Sequence, residues 1–143
     1  MTWYIEEASW EQDRERLLLV RHEVFVQEQA VPLDEEVDHH DPVCLHLIAT
    51  DDAGGPVATG RLLADGHIGR MAVRRAWRGC GLGGAILEAL VARAWSAGLS
   101  RVVLAAQTHA IPFYERHGFT AHGDEFLDAG ILHRWMDRMA PPE

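Results

Sequence analysis

Leu17, Val20, Val24 and Phe25 recur at helical spacing, along one face of a helix. A helix is therefore expected from Ser9, a suitable N-cap with Glu11 and Gln12 in the first turn, toward Gln27. Arg21 and Glu28 fall on or beside the same stripe, where a charge needs a partner or a cavity, and the two can pair along that face. The period then changes. Trp3 to Glu7, Cys44 to Thr50 and Val57 to Leu63 alternate or run apolar, as strands do, and Asp51-Asp52-Ala53-Gly54-Gly55 is hairpin chemistry between the last two. A turn at Asp65-Gly66 leads into a strand ending at Val73. The helical period returns from Leu82 to Ala97, through Ile86, Leu87, Leu90, Val91, Ala94 and Trp95, and stops at Gly98. A strand from Val102 to Ala106, a short helix, an Asp/Gly turn at His122 to Asp128 and a last strand from Ile131 to Met139 complete the chain. Pro32 to Pro42 reads as an acidic, turn-rich loop.

The 143 residues, 48% apolar, suffice for one core, so residues 1–143 are expected to form a single domain. A net charge of −9 argues against a nucleic-acid surface and suits a cationic partner. No leader and no apolar run near the ~20 residues of a membrane span is seen, so a soluble, cytoplasmic protein is expected. Cys44 and Cys80 form no C-x-x-C motif and no disulfide framework.

Chemistry concentrates after Ile68-Gly69-Arg70-Met71-Ala72-Val73. Arg78-Gly79-Cys80-Gly81-Leu82-Gly83-Gly84 runs straight into the second long helix. Glycines let backbone N–H groups converge, the helix start adds its dipole and Arg78 adds a charge, which together suit a phosphate or pyrophosphate. Neither a nucleotide P-loop lysine nor the dinucleotide G-x-G-x-x-G spacing is present. A later segment, Ala110-Ile111-Pro112-Phe113-Tyr114-Glu115-Arg116-His117-Gly118-Phe119, follows a strand and Gln107.

In these two segments the chain resembles the GNAT N-acetyltransferases. Arg78, Gly81 and Gly83 match [Q/R]-x-x-G-x-[G/A], and Ala110, Phe113, Tyr114, Gly118 and Phe119 match A-x-x-[F/L]-Y-x-x-x-G-F. The resemblance narrows to the ElaA/YjcF-like branch through Arg21-His22-Glu23-Val24-Phe25-Val26-Gln27-Glu28-Gln29, Val31-Pro32, His46, Gly69-Arg70, Gln107-Thr108-His109 and Gly130-Ile131-Leu132-His133. Gln107 departs from the Asn that many GNAT enzymes carry there; either amide can bond pantetheine.

The resemblance implies an α+β fold, an α/β sandwich. Its mixed, mostly antiparallel sheet would have about six to seven strands, helices on both faces and splayed central strands. It implies an N-acetyltransferase that binds acetyl-CoA as cosubstrate, with no metal, and acetylates a primary amine by direct attack in a ternary complex. The 78–84 turn would hold the pyrophosphate, and Met71, Ala72 and Val73 would lie along pantetheine with Gln107 and Phe113. An N–H near Met71 would face the thioester oxygen. Tyr114 would protonate the departing thiolate. Cys80 is read as a small turn residue, not a nucleophile.

An ammonium must lose a proton before attack, and several side chains could take it. Glu28 is favoured for its place on the helix stripe; His46, His109 and His133 follow. Arg21, Glu28, His46, Arg70, His109 and His133 are read as the acceptor pocket. The Asp34–Asp41 run invites a metal but lacks fixed ligand spacing, and a solvated acidic loop near an amine entrance explains it as well. A coenzyme A-binding regulatory module without catalysis is the alternative. Polyamine, aminosugar, amino acid and peptide amine all remain open as acceptors, as do a homodimer and acyl groups other than acetyl.

Overall fold

The computed structural model describes residues 1–142. Strand β1 (Tyr4–Ala8) leads into helix α1 (Trp10–Arg21), which continues as a widened π-helical segment, His22–Glu28. A single turn α2 (Leu33–Glu36) follows, then β2 (Leu45–Thr50), β3 (Pro56–Leu62) and β4 (Ile68–Val73). After the glycine turn come α3 (Leu82–Ser96), β5 (Arg101–Gln107), α4 (Ile111–Arg116), β6 (Thr120–Asp128) and β7 (Ile131–Met139).

The strands form two antiparallel sheets in the orders β1-β2-β3-β4 and β5-β7-β6. A parallel bridge between His67 and Val103 joins them, with the Val103 N–H donating to the Gly66 carbonyl at 3.0 Å. Beyond it β4 and β5 run in the same direction and separate. This is the mixed, splayed sheet expected above.

Alternation along the strands decides what each helix covers. On one face α3 buries Ile86, Leu87, Leu90 and Val91 against Leu47, Ala49 and Ala58 of the first sheet and Val102, Leu104 and Met136 of the second, so one helix spans the split. On the other, α1 sets Leu17 against Ile48, while Val20 and Val24 cover Ala72. The close approach of α3 depends on Gly60, where a Cβ would stand 2.7 Å from Leu90 Cδ1 and 2.9 Å from Ile86 Cγ2. Among the described residues no helix is long and apolar enough to cross a membrane.

Three local expectations change. Ser9 caps α1 without a side-chain bond; its own N–H donates to Asp13 Oδ2 at 2.9 Å. The segment expected as a turn at 122–128 belongs to strand β6, whose pairing with β7 is interrupted between His122 and Phe126. Gly123, at φ +74°, lies in that interruption, so turn-forming residues here kink a strand rather than end it. The acidic 34–41 loop is not simply solvated, because Glu36 and Asp41 are fully buried.

Candidate active site

Register fixes the first feature. Thr59 faces Ala72 and Arg61 faces Gly69, so Gly60 stands opposite two residues, Arg70 and Met71. That is a β-bulge, and Arg70 adopts φ +46°, a costly angle for a branched-chain-free but bulky residue. The Thr59 hydroxyl donates to the Arg70 carbonyl at 3.2 Å, a side-chain bond across the bulge. The bulge bends β4 where it parts from β5.

Between the parted strands lies a cavity of about 430 Å³, walled by Arg70 and Met71 on one side and Leu104, Ala105 and Gln107 on the other. Tyr114 and His133 close it. Tyr114 sits on α4 against Phe113 and Phe119, with ring centroids 5.1 and 6.0 Å away. Burial pushes its phenol up to about 12, so it keeps its proton. The Gln107 amide donates to Gln29 Oε1 at 3.0 Å, tying the end of β5 to the π-helical segment. In that segment Gln29 N–H bonds the Val24 carbonyl, five residues back, and the extra residue per turn sets Phe25 and Gln29 on the cavity wall.

At the glycine turn, Gly79 and Gly81 have φ of +75° and +90°, angles that glycine takes without strain. A Cβ on Gly83 would meet no atom closer than 3.7 Å, so packing alone does not require glycine there. Gly84 differs, since the His117 ring nitrogen would stand 2.9 Å from its Cβ. The open turn ahead of the α3 N-terminus fits an anion. Cys80 Sγ donates to the Trp77 carbonyl at 2.9 Å, a local bond within the turn.

Several expected partners are rearranged. Arg78 donates through Nε to the Val73 carbonyl at 2.9 Å and through both Nη to Glu28 at 2.7 and 2.6 Å, so its charge is already matched. Glu28 pairs with Arg78 rather than Arg21, and the Arg78 hydrogen bonds hold its carboxyl below the usual range. It lines a separate groove of about 680 Å³ with Arg74 and Trp77, away from the Tyr114 cavity.

Arg21, 1% exposed, turns inward to Glu36 and Asp41. Asp41 also accepts from Arg61 at 2.9 Å, and Asp38 accepts from Arg61 at 2.7 Å and Arg70 at 3.3 Å. Three guanidinium groups thus face three carboxylates beneath the cavity wall. Burial raises the Asp41 carboxyl, but hydrogen bonds and charge from Arg21 outweigh it and hold it low; Arg61 does the same for Asp38.

His46 is sealed, stacked on Trp10, and donates from Nε2 to the Asp41 carbonyl at 2.8 Å. Burial lowers its pKa, and it has no face on the cavity. His109 is exposed on a short turn and is not a wall residue either. Asp41, Cys44 and His46 offer ligand atoms within 4.8 Å of one another. The Asp41 oxygens already accept from Arg21, Arg61 and the Asp38 N–H, so a metal ion would face two guanidinium groups. The group is an ion-pair anchor. Of the expected acceptor-pocket residues, Arg70 and His133 reach the cavity. Gln29, Arg61 and Asp128 join them without having been singled out as site residues.

The model of the acetyltransferase (GNAT) domain matches residues 9–139. This chain belongs to the GNAT family. Among GNAT proteins, it is 41% identical over 133 residues to the N-acetyltransferase YjcF of Bacillus subtilis (strain 168), covering 90% of this chain and 94% of YjcF. An acyl-CoA N-acyltransferase from Pseudomonas aeruginosa superposes with a TM-score of 0.86 at 35% identity, over 96% of this chain and 99% of that one. Escherichia coli ElaA gives 0.84 at 25% identity, over 96% and 99%. The GNAT branch named from the sequence is therefore the one found.

Proposed function

We propose that the protein transfers an acetyl group from acetyl-CoA to a primary amine by direct attack within a ternary complex. The observation that carries this reading is one continuous arrangement: the Arg70–Met71 bulge, the β4–β5 split and the Tyr114 phenol border the same cavity. Acetyl-CoA supplies an activated thioester.

The open turn at residues 79–83 would receive the pyrophosphate through backbone N–H groups and the α3 dipole. Backbone groups of Met71 and the Val73 N–H, on the edge strand β4, would bond the pantetheine amides; the Val73 carbonyl already accepts from Arg78. The Met71 N–H, at the bulge, would face the thioester oxygen and stabilise the negative charge that builds there. Tyr114 would hand its proton to the leaving sulfur. A phenol raised to about 12 is a poor acid toward a free thiolate, but the site that raises it would also raise the sulfur's basicity. Placement supplies much of the rate, and no covalent enzyme intermediate is needed.

Initial velocities of thiol release over a grid of acetyl-CoA and amine concentrations test this reading. Intersecting double-reciprocal lines are expected. Parallel lines, or a burst of thiol without amine, would mean an acyl-enzyme and overturn the direct-attack mechanism.

A further inference from the structure

The cavity continues into a side pocket of about 130 Å³ between the α2 loop and the tip of the β6–β7 hairpin. Gln29, Arg70, Gln107, Asp128 and His133 line both spaces and so form the passage between them. His133 is 8% exposed, and its Nδ1 lies 2.7 Å from the Ile131 carbonyl oxygen. A carbonyl can only accept, so in the neutral ring Nδ1 carries the proton and Nε2 the lone pair. Stacking on Phe126, with centroids 5.8 Å apart, fixes the ring plane. Among the described residues Nε2 has no hydrogen-bond partner, and the ring borders the cavity that Tyr114 borders.

The charges around this buried base are unequal. Asp128 opens a tight turn in which Ala129 and Gly130 have φ of +51° and +78°, and its exposed carboxylate stands at the pocket rim. Glu35 stands exposed on the α2 loop at the same rim. Glu36 is buried and held by Arg21. Arg70 is the cation on this wall, and its Nε and Nη2 are engaged by the Glu36 carbonyl at 2.9 Å, the Glu35 carbonyl at 3.4 Å and Asp38 at 3.3 Å. Tyr114, His40, His67 and Arg61 are the further titratable groups on the cavity wall, and Arg61 is matched by Asp38 and Asp41. Two unmatched carboxylates at the rim attract a cation and repel an anion.

We propose that this passage admits the acceptor as a small cationic amine lacking a carboxylate, an alkyl diamine being the simplest case. Nε2 of His133 takes the proton of the reacting ammonium. The inference rests on the acetyl-transfer reading above. The freed nitrogen pair forms the N–C bond to the acetyl carbon as the C–S bond breaks. Of the two protons the nitrogen loses, one is accounted for on the sulfur, delivered by way of Tyr114, and the other leaves from His133 to water.

Thiol release from acetyl-CoA is measured with 1,4-diaminobutane, butylamine and 4-aminobutyrate. The wild type should favour the diamine over 4-aminobutyrate by at least about tenfold in kcat/KM, with butylamine between them. His133→Asn keeps a side-chain N–H able to reach the Ile131 carbonyl. It should bind acetyl-CoA normally by calorimetry yet lose about 10² in kcat near neutral pH, recovering as the amine deprotonates in solution. Asp128→Asn should raise KM several-fold for the diamine more than for butylamine.

A preference for 4-aminobutyrate would assign the passage to a carboxylate held by Arg70 and overturn the proposal, whether or not any variant folds. An unchanged rate and pH profile in His133→Asn would remove the base. Normal acetyl-CoA binding with no thiol release from any of the three amines would overturn the acceptor class. Failure to bind acetyl-CoA would instead sink the acetyl-transfer reading itself.

Discussion

Glu28 shows how far a single residue can be read from a sequence. Its place on an apolar stripe marked it as a charge with a task, but periodicity does not reveal a partner 50 positions away, and that partner is Arg78. Held there, Glu28 sets a negative charge beside the turn proposed for pyrophosphate. Glu28→Gln should therefore tighten acetyl-CoA binding by about three- to tenfold, on the scale of an exposed charge contact, and leave kcat near the wild-type value. Calorimetry and steady-state kinetics check both. A collapse of kcat with unchanged binding would restore the base role expected from the sequence. Tyr114 was picked out by its motif, and it stands partly buried on the cavity wall, where the proposed acid role needs it. Tyr114→Phe should lower kcat by roughly 10² with little change in cofactor affinity. Because burial holds the phenol near 12, the wild-type rate should show no decline from phenol ionisation up to about pH 11. A falling limb near pH 10 that vanishes in Tyr114→Phe would contradict that environment.

At the scale of elements, alternation and turn chemistry were enough to find β1 to β5, α1 and α3. Strand β6 was missed because Gly123 and its polar neighbours carry the local signature of a turn, while only pairing with β7 makes them a strand. The 34–41 loop was misjudged for a related reason. Its acids looked solvated because their partners, Arg21, Arg61 and Arg70, lie on α1, β3 and β4. That cluster fastens the loop beneath the cavity wall. Asp41→Asn leaves Arg21 and Arg61 short of a buried counter-charge and should cost about 3 to 5 kcal/mol, measurable as a lowered denaturation midpoint. The Asp41 carboxyl is held below its unfolded value, so its stabilisation is fully present above about pH 4 and is lost progressively below that, as pH falls through the depressed folded-state value. The wild type should weaken steeply on acidification below pH 4, and Asp41→Asn should do so less steeply. Equal slopes would mean that the cluster is not the acid-sensitive element.

For the whole molecule, the order of elements and the two motifs disclosed the fold and its family, since both depend on residues close together in sequence. The site's outline was only partly legible. The bulge at Arg70 and the joining of Gln29, Asp128 and His133 around one cavity depend on how two sheets meet, and no local pattern records that. What the assembly claims is specific: an open glycine turn and a split sheet form one acetyl-CoA site. Calorimetric titration of acetyl-CoA into wild type, Gly83→Ala and Gly83→Val tests that claim most directly. Alanine's Cβ has 3.7 Å to its nearest neighbour, so Gly83→Ala should fold and bind within a few-fold of wild type. Gly83→Val, whose branches would fill the space beside Val73 and Phe113 in which the cofactor is proposed to lie, should keep its fold by circular dichroism and lose at least about tenfold in affinity. One cofactor per chain in the wild type with that loss in the valine variant is the predicted result. Equal affinity in all three proteins would place acetyl-CoA elsewhere and contradict the account.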